Sequence, residues 1–179
     1  MTHHEDSIVP WQAAAAFAAR AHQHQVRKDS CTPYFSHPCR VALTLSQVFG
    51  CQDDEVIAAA LLHDVIEDTT ADYDDILESF GERVADLVAA LTKDMRLIEE
   101  MREPAYDDQL KAGPREARLI KLADVFDNLS DSLASGRLLK SLIDKAVRAV
   151  ALAEHDPELA DARAIVASLI EQARAAAAR

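Results

Sequence analysis

Apolar residues along this chain recur at helical rather than strand spacing. Trp11, Ala14, Ala15, Ala18 and Ala21 form one stripe. It predicts a helix from Pro10 to about Val26, with the proline near the start, where its missing N–H does no harm. Arg27 to Ser36 reads as a loop broken by Pro33, and a second helix is expected from Pro38 to about Phe49, stopped by Gly50. Asp53 can cap a third helix, Asp54 to about Asp68. Ala71 to Phe80 and Glu82 to Thr92 look like two more, separated by Gly81. Residues 94–113 are charged and irregular, with a short helix expected after Pro104. Pro114 opens a helix to about Leu133, and Ser135-Gly136 breaks it. Two terminal helices are expected, Leu138 to about His155 and Pro157 to about Ala178. Nowhere is apolar/polar alternation sustained, so no strand is predicted. With no repeat or linker in view, the expectation is an all-α bundle in which residues 1–179 form one domain.

Composition narrows this further. Alanine is abundant and glycine and proline are scarce (4 and 6), which favours helix over sheet. Hydrophobic residues make up 49% and charged residues 28%, the balance of a globular chain with a packed core. The net charge of −12 offers no field to attract nucleic acid or an anionic membrane, so neither is expected as a partner. An anionic substrate would need local cations or a bound metal. No apolar run is long enough to span a bilayer, and the segment from Met1 to Pro10 is too polar for a secretory signal. Cys31, Cys39 and Cys51 are odd in number and lack CxxC spacing. They are expected to be free thiols, and the chain to be cytoplasmic.

The candidate chemistry sits on the third predicted helix. In AAALLHDVIEDTT the residues Ala58, Ala59, Leu61, Leu62, Val65 and Ile66 cover most of the helix surface, which places it in the middle of the fold. Yet it also carries His63, Asp64, Glu67 and Asp68, with Asp64 three and four residues before the other two acids. Buried together, these acids would lose hydration and repel one another unless a cation or protons compensated. Asp124 lies in a second apolar stripe, LIKLADVFDNL, with Asn128 one turn on, and His37 stands where a loop meets a helix. Two imidazoles and two carboxylates form a mixed N/O set that suits a divalent metal with open positions. Each residue has a plainer alternative: a solvated His-Asp pair, a frayed helix end for Glu67 and Asp68, an ion pair between Asp124 and Lys121, a helix-start hydrogen bond for His37.

Four blocks, AHQHQVRKDSCTPYFSHPCRVA, AAALLHDVIEDT, FGERVADLVAALTK and KLADVFDNL, resemble the HD hydrolase domain of the RelA/SpoT family, in order and spacing, from about Phe17 to Leu129. The resemblance is greatest to the stand-alone small alarmone hydrolases. It implies an HD-type helical bundle that removes the 3′-pyrophosphate from ppGpp and pppGpp with a metal-activated water, usually with manganese. Carried over by motif, it implies His37, His63, Asp64 and Asp124 as metal ligands. Glu67 and Asp68 would orient or activate the water, while Arg27, Lys28 and Asn128 would contact the nucleotide. Lys93 and Lys121 are weaker phosphate-binding candidates.

Three positions depart from the family pattern: Cys31 where glycine is common, and Val125 and Ser130 where basic residues are common. They leave other readings open: another nucleotide substrate (an adenosine alarmone, or the 2′-phosphate of NADPH), or a catalytically silent nucleotide-binding module. The chain is too short to include the family's synthetase, so hydrolysis alone is expected.

Overall fold

The computed structural model describes residues 9–137 and 140–178. Ten α-helices are described: α1 Pro10–Ala21, α2 Ser36–Leu43, α3 Asp54–Leu62, α4 Val65–Asp68, α5 Tyr73–Phe80, α6 Glu82–Leu91, α7 Glu99–Ala112, α8 Arg115–Ala134, α9 Lys140–Leu152 and α10 Ala160–Ala177. Among the described residues there is no strand, only an isolated bridge between Val26 and Pro33. The all-α expectation holds. The start predicted for the penultimate helix, Leu138, and most of the polar segment from Met1 lie outside the described residues. No described helix is long and apolar enough to cross a membrane.

Two helices organise the rest. α3 is packed by α1, α2, α6 and α8, and its Val56, Ala58, Ala59, Ala60 and Leu62 are essentially inaccessible. Ala14 and Ala18 of α1 are equally buried, and small residues on facing helices allow close approach of the two backbones. α8 borders a second apolar cluster with α9 and α10, built on Leu122, Leu129, Ala146, Val166 and Ala173. Each fully buried Leu or Val contributes about 1.5–3 kcal/mol relative to exposure, so the scaffold beneath the polar residues is firm. Trp11 was expected in the apolar stripe of α1, but it stands at the rim, 39% exposed.

Several boundaries differ from expectation. α1 stops at Ala21 rather than near Val26 because His24 adopts φ +72° and turns the chain back. A narrow loop follows, closed by Arg27 N–H donating to Thr32 O and Tyr34 N–H to Gln25 O. Asp29 caps it by accepting from the amides of Cys31 and Thr32. The left-handed residue in this loop is Ser30, at φ +65°, so Cys31 replaces glycine without backbone strain. The second predicted helix begins at Ser36 and ends in a π turn, Thr44–Val48, before Gly50 at φ +72°. α7 runs through Pro104, where only a short helix after the proline was expected. It has few apolar residues to reveal it; Tyr106 and Leu110 alone are buried, and Gln109 ties it to α6 by donating to the carbonyls of Ala89, Ala90 and Thr92. Pro157–Leu159, expected as the start of the last helix, is a separate 3₁₀ turn.

The third predicted helix is interrupted. α3 ends at Leu62, and a two-residue turn, His63-Asp64 (Asp64 φ −99°, ψ −2°), separates it from α4. Beside the break, His63 Nδ1 lies 2.8 Å from the carbonyl oxygen of Ala60. An imidazole N–H donating there competes with the helix's own amide for that acceptor.

Candidate functional site

Four side chains named from the sequence meet at this break. His63 and Asp64 come from the turn between α3 and α4, His37 from the first turn of α2, and Asp124 from the middle of α8. Nε2 of His37 is 3.2 Å from Asp124 Oδ1 and 3.7 Å from Asp64 Oδ2, while Nε2 of His63 is 3.1 Å from Asp64 Oδ2. Ligand atoms of His37, His63 and Asp124 lie within 4.8 Å of one another, all three residues buried. Donors that share one divalent ion at about 2.0–2.2 Å stand roughly 3 Å apart when adjacent, which is the spacing found here.

The hydrogen bonds orient the donors. His63 spends Nδ1–H on Ala60 O, and His37 spends Nδ1–H on Asp127 Oδ2 at 2.7 Å, so both rings turn Nε2 inward. Nε2 of His63 is buried without a hydrogen-bond partner. Its 3.1 Å neighbour is a carboxylate oxygen, another acceptor. Two lone pairs facing each other in a buried place require a proton or a cation between them. The residues therefore fit a divalent metal.

Asp127 is itself anchored by Arg40, whose Nε and NH2 groups donate to its two oxygens at 2.6 and 2.9 Å. Asp124 accepts from Lys121 Nζ at 2.7 Å and from Asn128 Nδ2 at 2.6 Å. The ion pair with Lys121, named from the sequence as the plainer alternative for Asp124, is thus present beside its contact with His37. Although burial raises its proton affinity, Lys121 and His37 overcome this and hold its carboxyl well below the usual range. For His37, burial opposes the charged form, but hydrogen bonds to Asp124 and Asp127 prevail and bring it to about 9. In the metal-free protein near neutral pH, an incoming ion therefore displaces a proton. The apparent affinity for a divalent cation is expected to rise with pH, at least tenfold per unit while His37 keeps its proton, and to level off above about pH 9; against its burial, Asp64 raises His63 as well, so a second proton adds to the slope at lower pH. Calorimetric titration in buffers of different ionisation enthalpy measures the proton released; a pH-independent affinity below that point would mean His37 is neutral before metal binds.

Glu67 and Asp68 line the same cavity of about 210 Å³ as the four donors. Glu67 is half-buried and accepts from the backbone N–H of Lys93 at 3.0 Å; burial pushes its carboxyl above the usual range. Asp68 is exposed, contrary to the expectation of a buried acid, yet partial desolvation and the neighbouring Asp64 raise it as well. Tyr34 was not singled out from the sequence. Its hydroxyl lies 2.6 Å from Asp64 Oδ2 and 3.1 Å from Asp68 Oδ2, and burial together with Asp64 keeps it protonated, a donor bridging the two acids.

A second cavity, of about 290 Å³, adjoins the first and is lined in part by Arg27, Lys28, Tyr34 and Asn128. Arg27 is ordered against the protein: its NH2 donates to Asn128 Oδ1 and Asp131 Oδ2 at 3.1 and 3.0 Å, and its guanidinium lies over the Tyr34 ring. Lys28 is exposed at the rim. Both amide atoms of Asn128 are used within the protein, coupling Arg27 to Asp124. Val125 lines this cavity as an apolar patch. Asp127 and Lys145, also at the site, escaped the sequence reading. Asp127 stands one turn from Asp124 in the same apolar stripe, a signal of the kind that flagged Asp124 itself. Lys145 lies beyond the recognisable motifs.

Comparison with known proteins bears on this geometry. The family model for the HD domain matches residues 14–150. The human guanosine-3′,5′-bis(diphosphate) 3′-pyrophosphohydrolase MESH1 is 43% identical over 119 residues, 66% of this chain and 66% of that protein. Its Xenopus tropicalis counterpart is 41% identical over the same length and shares. The chain thus spans just under two thirds of the length of these relatives. A guanosine-3′,5′-bis(diphosphate) 3′-pyrophosphohydrolase of Aquifex aeolicus is 41% identical over 72% of this chain, but over only 18% of its own length. A solved structure, described as a metazoan ortholog of SpoT that hydrolyzes ppGpp, superposes with a TM-score of 0.81 at 30% identity, covering 91% of this chain and 94% of that one. From the family match, and in keeping with the all-helical fold and the paired His63 and Asp64 at its centre, the chain belongs to the HD domain family.

Proposed function

We propose that this chain is a metal-dependent hydrolase that removes the 3′-pyrophosphate from ppGpp and pppGpp, with manganese as the preferred ion. The observation that carries this reading is the meeting of two inward-facing imidazoles with Asp64 and Asp124, in one cavity with Glu67 and Asp68. Relatives named for that activity, 41–43% identical, support the substrate. We take residues 1–179 as one functional unit, since both apolar clusters abut α8, which carries Asp124 and Asn128. Three free cysteines suit a reducing cytoplasm.

His37, His63, Asp64 and Asp124 would hold the ion. When bound, a divalent cation lowers the pKa of water and offsets charge on phosphoryl oxygens. Glu67, its proton affinity raised by burial, accepts the proton of the attacking water, and Asp68, held by Tyr34, orients that water. A bond forms from water oxygen to the phosphorus carried on the 3′-oxygen. The bond from that phosphorus to the 3′-oxygen breaks, and the 3′-oxygen takes up a proton. The products are pyrophosphate and GDP from ppGpp, or pyrophosphate and GTP from pppGpp. Arg27, Lys28 and Asn128 contact the nucleotide, and Arg27 exchanges Asp131 for a phosphate to do so.

Purified protein with manganese, assayed against a nucleotide panel, is expected to release pyrophosphate from ppGpp. Turnover of NADPH or an adenosine alarmone without turnover of ppGpp would assign the site to a different nucleotide; binding without turnover would make the chain a silent module.

A further inference from the structure

Six cations line the larger cavity, and four are committed: Arg27 to Asp131 and Asn128, Lys93 to Glu103, Lys121 to Asp124, and Arg148 to Glu103 and Asp107. Among the described residues, Lys28 and Lys145 make no ion pair or side-chain hydrogen bond. Lys28 belongs to the loop after α1, and Lys145 to α9 on another wall.

Lys145 differs from Lys28 in position. Together with Lys93 and Lys121 it lines both cavities, and so stands where the donor cluster opens into the wider cleft. The ammonium groups of Lys93 and Lys121 lie 5.2 and 5.5 Å from the centroid of the Tyr106 ring, which fixes them at one place on the cleft wall. The acids nearest to hand, Glu103, Asp107 and Asp124, are already paired. Partial burial and the like charges of Lys93 and Lys121 push the Lys145 ammonium below the ordinary lysine range. An anion arriving here relieves that repulsion.

We propose that Lys145, with Lys93 and Lys121, is a subsite for the outer phosphate of the diphosphate under attack. The inference rests on the hydrolase reading above and deepens it. A diphosphate whose outer phosphate is gripped at the junction presents its inner phosphorus to the donor cluster. That selects a diphosphoryl over a monophosphoryl ester, and it sets the bond to the 3′-oxygen as the one that breaks. The same lysines would hold the departing pyrophosphate. They also supply positive charge from α9 and from the segment after α6, which the chain lacks at Val125 and Ser130.

The test is Lys145→Ala, with Lys145→Arg as the conservative control; the side chain lines the cleft outside the apolar clusters and is unpaired, so its truncation leaves the core intact. A lost charge-assisted hydrogen bond lowers kcat/KM about tenfold to a hundredfold. That loss is expected for guanosine 5′-diphosphate 3′-diphosphate, with the 3′-monophosphate analogue unaffected and Lys145→Arg largely restored. Equal losses on both substrates would place the lysine elsewhere on the nucleotide and overturn the subsite; so would no loss on either. Independently of turnover, calorimetric titration with inorganic pyrophosphate and with orthophosphate should show a preference for pyrophosphate in the unsubstituted protein that Lys145→Ala loses. If the unsubstituted protein hydrolyses neither nucleotide, the hydrolase reading fails. The pyrophosphate titration still decides the subsite, which equal binding of the two anions would refute.

Discussion

Asp64→Ala is expected to abolish both bound metal and hydrolysis. The Asp64 carboxylate is the oxygen common to the two imidazoles, 3.7 Å from His37 Nε2 and 3.1 Å from His63 Nε2. Burial opposes its ionisation, but His63 overcomes this and holds it below the usual carboxylate range, so it is anionic whenever an ion arrives. Its removal leaves one carboxylate, Asp124, already shared with Lys121 and Asn128. Loss of an outer-shell partner alone typically costs 10- to 100-fold in metal affinity, so loss of a direct ligand should exceed about a hundredfold. Elemental analysis after gel filtration reads the metal, and circular dichroism checks the fold. A fully loaded Asp64→Ala protein would remove Asp64 from the coordination shell.

The paired replacement Glu67→Gln with Asp68→Asn should act differently. Here metal is expected to stay while turnover falls by about 10²- to 10⁴-fold, the usual share of a positioned proton acceptor. The amide oxygen of a glutamine can still accept from the Lys93 backbone N–H, so the segment leading to α7 keeps its anchor. What is lost is basicity: burial raises the proton affinity of both carboxyls, and neither amide can take a proton from water. Single-turnover kinetics with metal content measured in parallel separates this from weakened binding. Wild-type turnover in the double variant would exclude both acids from the chemistry.

The parts of the molecule that could be read beforehand are those where one residue carries two signals. Ala58–Leu62 is apolar all round, which announces a central helix, and an acid beside such a segment announces a compensating partner. Asp124 was legible for the same reason, and the helix around it ends within a residue or so of the expected place. α7 was not legible, because apart from Tyr106 and Leu110 it is tied down by Gln109 and by ion pairs of Glu103 and Asp107 with Arg148, all contacts distant in sequence. Likewise Arg40 looks like an ordinary surface charge in a string of letters, and Asp127, though it shares the apolar stripe of Asp124, names no partner there. Only the crossing of α2 and α8 makes them a clamp behind His37. Asp68, expected to be buried on a continuous helix, stands exposed at the end of α4, beyond the interruption at His63-Asp64.

That interruption has its own consequence. On an unbroken helix, successive side chains point about 100° apart, and neighbours diverge rather than converge. The ring that offers Nε2 to the cluster is the same ring whose other nitrogen draws on the Ala60 carbonyl beside the kink. The interruption and ligation are thus two uses of a single histidine, and a thiolate or carboxylate grafted at position 63 could serve only the second, because it has no proton to give that carbonyl.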